Sequence, residues 1–489
     1  MSFVTGAAMR SLEEAAFRRG VSAEFLMDLA GEGIARRLID HFPQPGRAVA
    51  YVGKGNNAGD ALVALRHLRD AGWQIALKAA YPEIEWGVLP RRKRRELGTE
   101  APDTRIPEGP GPLLLLDGLL GIGARGTLRE PLARLAEEMA WLRDSHGAVV
   151  AAMDLPSGID ADTGEGQGVI ADLTITVGVA KLGLATPAGI ASAGRILLVP
   201  LADLTPPDET PLQFFCPDLF PGLLAPRSHD FHKGSAGRIG LLAGSPGMTG
   251  AAVLAATAAL RAGAGLVTLH VEPEFIPSLA APMPPEVMVR VSRKPVSDAF
   301  SAGHDALVIG PGMGNMSKPQ QTDLLAHLAS PHSPAVLDAD GLNLLATAGR
   351  TALLDSRHLI TPHPGEFRRL APDLAEKDRL DATTAFVERH PCTLLLKGAR
   401  TLVAAPGETT RFNPTGHAGM ASGGQGDVLS GVAGAFLAQG MKPADAASLA
   451  AWLCGRAAER TLAKGPVTLA SDTLDELGGA MRDWAERRR

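Results

Sequence analysis

The sequence is short of cysteine and of aromatic residues, and it carries no excess of positive charge. Three cysteines among 489 residues, Cys216, Cys392 and Cys454, are too few and too scattered for a disulfide frame or a structural zinc site. An odd number of lone thiols fits a reducing compartment. Aromatics make up 4% of the chain while hydrophobic residues reach 45%, so its cores must be built from Ala, Leu and Val. Lys and Arg number 48 against 53 Asp and Glu, and a net charge of −5 argues against a nucleic-acid binder. The longest apolar region, 250–271, is broken by Arg261 and by Gly-Ala pairs, so no membrane span is expected. The first residues place Glu13 and Glu14 where a secretory signal needs its apolar stretch. A soluble, cytoplasmic protein acting on small molecules is expected, with a homo-oligomer as its assembly. The one charge run, "RRKRR" at 91–95, reads as a solvated loop or helix end, because no aromatics interleave with it.

What is abundant is glycine and proline, 56 and 37 residues, which suits an α/β protein with many tight strand-to-helix turns. The length exceeds one ordinary core, and about 150 residues per domain gives two to four domains. Residues 11–40 read as helix, with Leu12, Ala15, Ala16, Leu26, Leu29, Ile34 and Leu38 at helical spacing. Short apolar strands then alternate with loops and helices: "RAVAYVG" (47–53), "LLLLDGLLGIG" (113–123), "AVVAAMDLPSGID" (148–160) and "ADLTITVG" (171–178). That alternation implies a mostly parallel sheet with ligands at the carboxyl ends of its strands. The stretch 203–232 is proline-rich and has neither period, which marks a boundary. A second series starts with "RIGLLAGSPGMTG" (238–250) and continues through "DALVIGPGMG", "AVLDADGLNLL", "LITPHPGEF" and "TLLLKGARTLVAA". Two α/β domains are expected, 1–215 and 225–489.

Two glycine-rich loops end on a carboxylate. In "VGKGNNAGDALVALRHL" (52–68), Gly53 and Gly55 would allow positive φ and close backbone approach, and the helix start attracts anions. Asn56 and Asn57 either cap this helix or contact a ligand, and Asp60 is favourable in the first turn in either case. Asp117 and Asp154 also follow strands. With Asn and Ser oxygens they would make a polar cluster for a hard cation or ligand hydroxyls, unless each only caps a turn. In "GHAGMASGGQGDVLSG" (416–431) the glycines would let successive amides converge on phosphate oxygens, or form a plain turn. Asp427, at the following helix start, is placed to take a proton from a hydroxyl attacking phosphorus.

The first loop, with "LMDLAG" (26–31), "DGLLGIGARG", "MDLPSGIDADTGE" and "GVAKLGLATPAG" (178–189), resembles the NAD(P)H-hydrate epimerase family over essentially all of 1–215. The resemblance implies a Rossmann-like three-layer αβα fold and interconversion of the R and S hydrates of NADH and NADPH. It implies hydrate binding by Asn56, Asn57, Ala58, Gly59, Asp60, Asp154 and the loop Gly121, Ile122, Gly123, Ala124, Arg125, Gly126 and Thr127. It also implies a potassium ion on Asn57, Asp117 and Ser157. Ala58 and Ala61 stand where the family usually has glycine, a change that strains the loop wherever φ is positive. Epimerisation breaks and remakes a bond at the hydrated carbon, so a proton-shuttling carboxylate is required, and Asp154 is assigned that role ahead of Asp60.

"HKGSAGRIGLLAGSPGMTG", "VIGPGMG", "VLDADGLNLL", "TPHPGEF" and "LLKGARTLV" together resemble the ADP-dependent NAD(P)H-hydrate dehydratases of the ribokinase-like superfamily, from about His232 through the helix after Asp427. The resemblance implies a ribokinase-like αβα fold and return of the S hydrate to NADH or NADPH, with ADP converted to AMP and phosphate. Nucleotide binding falls on Lys397, Gly398, Ala399, Arg400 and Thr401, and on His417, Ala418, Gly419, Met420, Ala421, Ser422, Gly423, Gly424, Gln425 and Gly426. Hydrate binding falls on Ala252, Gly314, His363 and Asp427, with Asp427 catalytic and Mg²⁺ beside the nucleotide. His417, Ala418 and Gln425 differ from the family's usual Asn-Pro and Thr or Ser. His363, between two prolines at a strand end, is either a substrate contact or a packed loop histidine. The rival to a two-activity enzyme is a ribokinase-like small-molecule kinase carrying a non-catalytic N-terminal binding module.

Overall fold

A computed structural model describes residues 2–98, 105–123, 126–206, 210–279 and 283–487. The chain divides into two compact units between Phe214 and Phe215. Residues after Phe215 pack with the second unit: Phe215 stacks on Trp484 with ring centroids 5.3 Å apart, and Phe220, Leu223 and Leu224 join the same core. The second unit therefore begins ahead of position 225, inside the proline-rich stretch.

The first unit holds a parallel sheet of β1 (Arg47–Val52), β2 (Gln74–Ala79), β3 (Leu113–Gly118), β4 (Val149–Met153), β5 (Leu173–Val177) and β6 (Arg195–Val199), in the order β2-β1-β3-β4-β5-β6. Alternate residues of β1 and β3 enter different cores. Ala48, Ala50, Leu114 and Leu116 pack with helices Ala23–His41 and Asn56–Asp70, while Val49, Tyr51, Leu113 and Leu115 pack with helix Leu132–His146. Both faces are thus covered by helices, the three-layer arrangement that parallel sheets require. The chain leaves β1 toward β2 on one side and reaches β3 on the other, so a topological switch point lies between β1 and β3. The expected helix over 11–40 is two helices, Gly6–Arg18 and Ala23–His41. Gly20 takes a left-handed φ of 92° and Ser22 caps the second helix by accepting from the Phe25 amide at 3.1 Å. A two-residue parallel pairing, Phe3–Val4 with Ala180–Lys181, ties the start of the chain to the segment beyond β5.

In the second unit the strands are β7 (Arg238–Leu242), β8 (Leu266–Val271), β9 (Val287–Val291), β10 (Ala306–Ile309), β11 (Ala335–Leu337), β12 (His358–Ile360), β13 (Thr393–Leu396), β14 (Leu402–Ala404) and β15 (Thr410–Phe412). They run in the order β9-β8-β7-β10-β11-β12-β13-β14-β15, parallel as far as β13 and antiparallel beyond it. Two cores again flank the sheet. Helix Gln425–Ala438 crosses helix Thr249–Arg261 closely because Gly431 lacks a side chain: a Cβ there would lie 2.2 Å from the Ala255 carbonyl oxygen.

The basic run 91–95 lies in helix Val88–Glu96, and its central residue is not solvated. Lys93 is buried and ion-paired with Glu24 at 3.1 Å, Asp28 at 2.8 Å and Glu96 at 3.1 Å. Among the described residues no helix is long and apolar enough to cross a membrane.

Candidate active sites

In the first unit the switch point gathers the predicted residues at the ends of β1, β3 and β4. Neither asparagine caps the helix after β1. Gly55 is the cap residue, and Asn57 instead turns its Nδ2 to the Leu120 carbonyl at 2.8 Å. Gly53 serves close approach rather than positive φ, since a Cβ there would lie 2.1 Å from the Leu119 carbonyl oxygen. Ala58 and Ala61 lie in the helix Asn56–Asp70 without positive φ, so their methyl groups strain nothing. The missing side chain of Gly118 makes room for Ala61, whose Cβ would lie 2.6 Å from any Cβ there.

Asn57, Asp117 and Ser157 converge on the turn after β3. Ser157 Oγ donates to Asp117 Oδ1 at 2.6 Å, the Ser157 amide donates to Oδ2 at 2.8 Å, and the Leu120 amide donates to Ser157 Oγ at 2.8 Å. Burial pushes the Asp117 carboxyl up to about 6, against the lowering effect of its Ser157 and Leu119 hydrogen bonds. A buried carboxylate with neutral oxygen neighbours and, among the described residues, no cationic side chain upon it fits a monovalent cation.

Asp60 follows Asn57 by one helical turn, and Asp154 precedes Ser157 by three residues, so the acids form a second cluster beside the first. Asp154 has a φ of 70°, an uncommon conformation for a residue with a Cβ and a strain of roughly 1–3 kcal/mol. Its Oδ1 accepts from the Val177 amide at 3.0 Å, from Thr176 Oγ1 at 3.2 Å and from the ammonium of Lys181. Lys181 is fully buried and also donates to the Val177 carbonyl at 2.9 Å. Burial, then the charges of Asp154 and Glu13, pushes the Asp60 carboxyl well above the usual range, with Lys181 opposing. Glu13 is raised by burial too. Sequence reasoning missed Lys181 and Glu13; the signal for Lys181 was a single charge inside the apolar run "VGVAKLGLA". Ile122 and Gly123 line a pocket of about 240 Å³ with Gly6, Arg10 and Asp160–Asp162. Gly126 has a φ of 77°, and Ala124 and Arg125 lie outside the described residues. Asn56 is exposed, whereas Ala58 and Gly59 are buried.

The second unit answers the other loop. Gly424, in left-handed conformation with φ 91°, precedes helix Gln425–Ala438 and sets Asp427 in its first turn. Burial, then the charges of Asp338 and Asp340, pushes the Asp427 carboxyl up to about 6, with Lys397 opposing. Lys397 donates to Asp338 Oδ1 at 2.8 Å and lies 4.0 Å from Glu366, and Ser430 donates to Asp338 Oδ2 at 2.7 Å. A Cβ on Gly426 would lie 3.2 Å from the Lys397 ammonium, so the helix start abuts this ion pair. Asp338, Asp340 and Glu366 were not singled out from sequence, although each lies in a quoted motif.

The remaining predicted residues surround this centre in different ways. His363 caps helix Pro364–Leu370 through Nδ1, which accepts from the Gly365 amide at 3.0 Å, and its half-exposed ring keeps Nε2 3.5 Å from Glu366. Gly314, with φ 65°, donates its amide to Asp340 at 2.7 Å. Ala252 is fully buried, its methyl against Gly244. Gly398, Ala399 and Thr401 form the turn joining β13 to β14. The buried Arg400 guanidinium donates to the carbonyls of Ala399 at 3.2 Å and Gly416 at 3.4 Å, which commits it to holding two loops together.

Loop 417–425 is tied to Thr468. His417 Nδ1 accepts from the Gly419 amide at 3.1 Å while its Nε2 meets Thr468 Oγ1 at 3.1 Å. Ser422 Oγ and Gln425 Nε2 donate to the Thr468 carbonyl at 2.9 and 3.2 Å, and Gln425 Oε1 accepts from Thr473 at 3.0 Å. His417 and Gln425, two departures from the family pattern, are therefore anchors of this loop.

Residues 239–477 match the family described as NAD(P)H-hydrate dehydratase, and residues 23–183 match the family described as YjeF-related protein N-terminus. A bifunctional NAD(P)H-hydrate repair enzyme of Moorella thermoacetica is 35% identical, covering 99% of this chain and 98% of its own length. Its namesake in Escherichia coli is 35% identical, with 92% of this chain and 87% of that protein covered. The crystal structure of a ribokinase-like superfamily protein from Enterococcus faecalis superposes with a TM-score of 0.52 at 25% identity, over 58% of this chain and 99% of that one. The chain belongs to the family of bifunctional NAD(P)H-hydrate repair enzymes.

Proposed function

We propose that the first unit interconverts the R and S hydrates of NADH and NADPH, and that the second unit dehydrates the S form while converting ADP to AMP and phosphate. The observation that carries this reading is Asp427: a carboxyl raised to about 6, at the start of an apolar helix, behind a left-handed glycine and beside a Lys397–Asp338 pair. A base of that strength is suited to work near neutral pH.

Hydroxide is a poor leaving group, and phosphorylation makes it a good one. Asp427 takes the hydroxyl proton of the hydrate as that oxygen bonds to the β-phosphorus and the bond to AMP breaks. Backbone amides of Gly423, Gly424 and Gly426 hold the charge on the transferred group. The ring nitrogen then expels phosphate, and loss of the neighbouring carbon's proton restores the dihydropyridine. A Mg²⁺ would be carried mainly by the nucleotide phosphates. Asp338 and Glu366, flanking Lys397, are the carboxylates that would hold it, and it would neutralise phosphate charge.

In the first unit, Asp154 takes the hydroxyl proton while a protonated Asp60 supplies one to the ring nitrogen. The carbon–nitrogen bond opens to an aldehyde and closes again on either face. Asn57, Asp117 and Ser157 would hold potassium, which supplies fixed positive charge near the bound hydrate. Nucleotide contacts fall on the backbone of 397–401 and 417–426, and hydrate contacts on Gly121–Thr127 in one unit and on Ala252, Gly314 and His363 in the other. The test is absorbance at 340 nm from mixed hydrates with ADP, then with ATP. Stoichiometric phosphate is expected, with AMP from ADP and ADP from ATP; a stable phosphorylated product would instead mark a kinase.

A further inference from the structure

Lys181 has no part in the chemistry above, yet it is a fully buried charged residue of the first unit. It stands on the two-residue strand paired with Phe3–Val4, and among the described residues its ammonium hydrogen-bonds to the Val177 carbonyl and Oδ1 of Asp154. The hydroxyl of Thr176 and the amide of Val177 converge on the same Oδ1. Among the described residues Oδ2 accepts no hydrogen bond from the protein. One oxygen takes three donors while the other is left to the site. Burying an ammonium costs several kcal/mol unless a partner offsets it, so a lysine whose only service were packing would be replaced at low cost by an apolar residue of similar volume.

We propose that Lys181 is a positioning residue for epimerisation: it fixes Oδ1 of Asp154 so that Oδ2 alone faces the hydroxyl of the hydrate. This rests on the reading of the first unit as an epimerase. The backbone of Asp154 is held at φ 70°, so its side chain depends on such anchors to keep one rotamer. With Lys181, Thr176 and Val177 on one oxygen, proton transfer proceeds through the other without a search over carboxylate orientations. The charge of Lys181 also offsets Asp154 in a cluster where Asp60 and Glu13 add further acids, Glu13 in turn facing Arg10.

The test uses the full chain, with epimerisation followed by chromatographic separation of R and S hydrates. Lys181→Met is expected to lower kcat on the order of 10² or more, with KM within about threefold, because binding contacts remain while orientation is lost. Lys181→Arg, which keeps the charge, is expected to recover at least about tenfold of that loss. Thr176→Val, which removes a second donor at constant volume, is expected to lower kcat by roughly threefold or more. Dehydration of pure S hydrate should be unchanged throughout. Should Lys181→Met fail to fold in thermal melting, Lys181→Arg and Thr176→Val decide. A kcat within threefold of wild type in every folded variant overturns the assignment, as does a loss confined to KM. If wild type itself epimerises no faster than buffer, the epimerase reading falls, and that result is distinct from a negative one on Lys181.

Discussion

Ser430 donates to Asp338 Oδ2 at 2.7 Å from a position one turn beyond Asp427 on the same helix. The helix that carries Asp427 thereby also fixes the carboxylate that raises it, since the charge of Asp338 is the second cause of the upward displacement of Asp427. Ser430→Ala should leave a buried charged acceptor short of a donor and destabilise the second unit by about 1–3 kcal/mol, read as a lower denaturant midpoint at constant m. An unchanged midpoint would mean that Asp338 is held by Lys397 alone.

Asp427→Asn should stop dehydration by a factor on the order of 10² or more in kcat, while calorimetry finds ADP affinity within about threefold of wild type. The wild-type rate should fall below pH 6 as Asp427 takes up its proton. Stability has the opposite sense. A carboxyl raised from 3.8 to about 6 binds its proton more tightly in the folded state, so its stabilising effect is full below about 4 and is lost as pH rises through 6. The asparagine variant should therefore be more stable than wild type at pH 7, by about 1–3 kcal/mol, and equal to it near pH 4. A variant less stable at pH 7 would place the raised carboxyl elsewhere.

Ala58→Gly and Ala61→Gly restore what the family usually has, yet both positions are helical and buried. Each should cost about 1 kcal/mol in stability, and Ala61→Gly somewhat more because its methyl fills the space above Gly118. Epimerisation should stay within about threefold of wild type. A large gain in rate from either glycine would show that the loop does need freedom there.

Potassium should raise the thermal midpoint of the first unit relative to a bulky organic cation at equal ionic strength, since ligands that bind only the folded state stabilise it. Asp117→Asn should remove that difference. Equal midpoints in both salts would exclude Asn57, Asp117 and Ser157 as a potassium site.

Much of this was legible in the sequence, and for physical reasons. Parallel strands buried on both faces leave continuous apolar runs such as "LLLLDG", and turns that abut helix starts need glycine, so fold class and both glycine-rich loops could be read directly. Partners that meet only in three dimensions could not. Lys181 is 27 residues from Asp154 and Lys397 is 59 from Asp338, and no periodicity links such pairs. Ala58 and Ala61 looked like possible strain because φ is a property of the folded chain, and only the helix starting at Asn56 shows their conformation. The break at Gly20 was hidden because apolar spacing continues across it, whereas a single left-handed residue reorients the next helix.

The most direct test of two activities on one chain is the final amplitude at 340 nm when excess ADP is given to a mixture of R and S hydrates of known composition. Wild type should convert all of it. Asp154→Asn should convert the S fraction at the wild-type rate and then continue only at the spontaneous rate of epimerisation, because its second unit is intact. An Asp154→Asn protein that reaches full amplitude as fast as wild type would contradict the account.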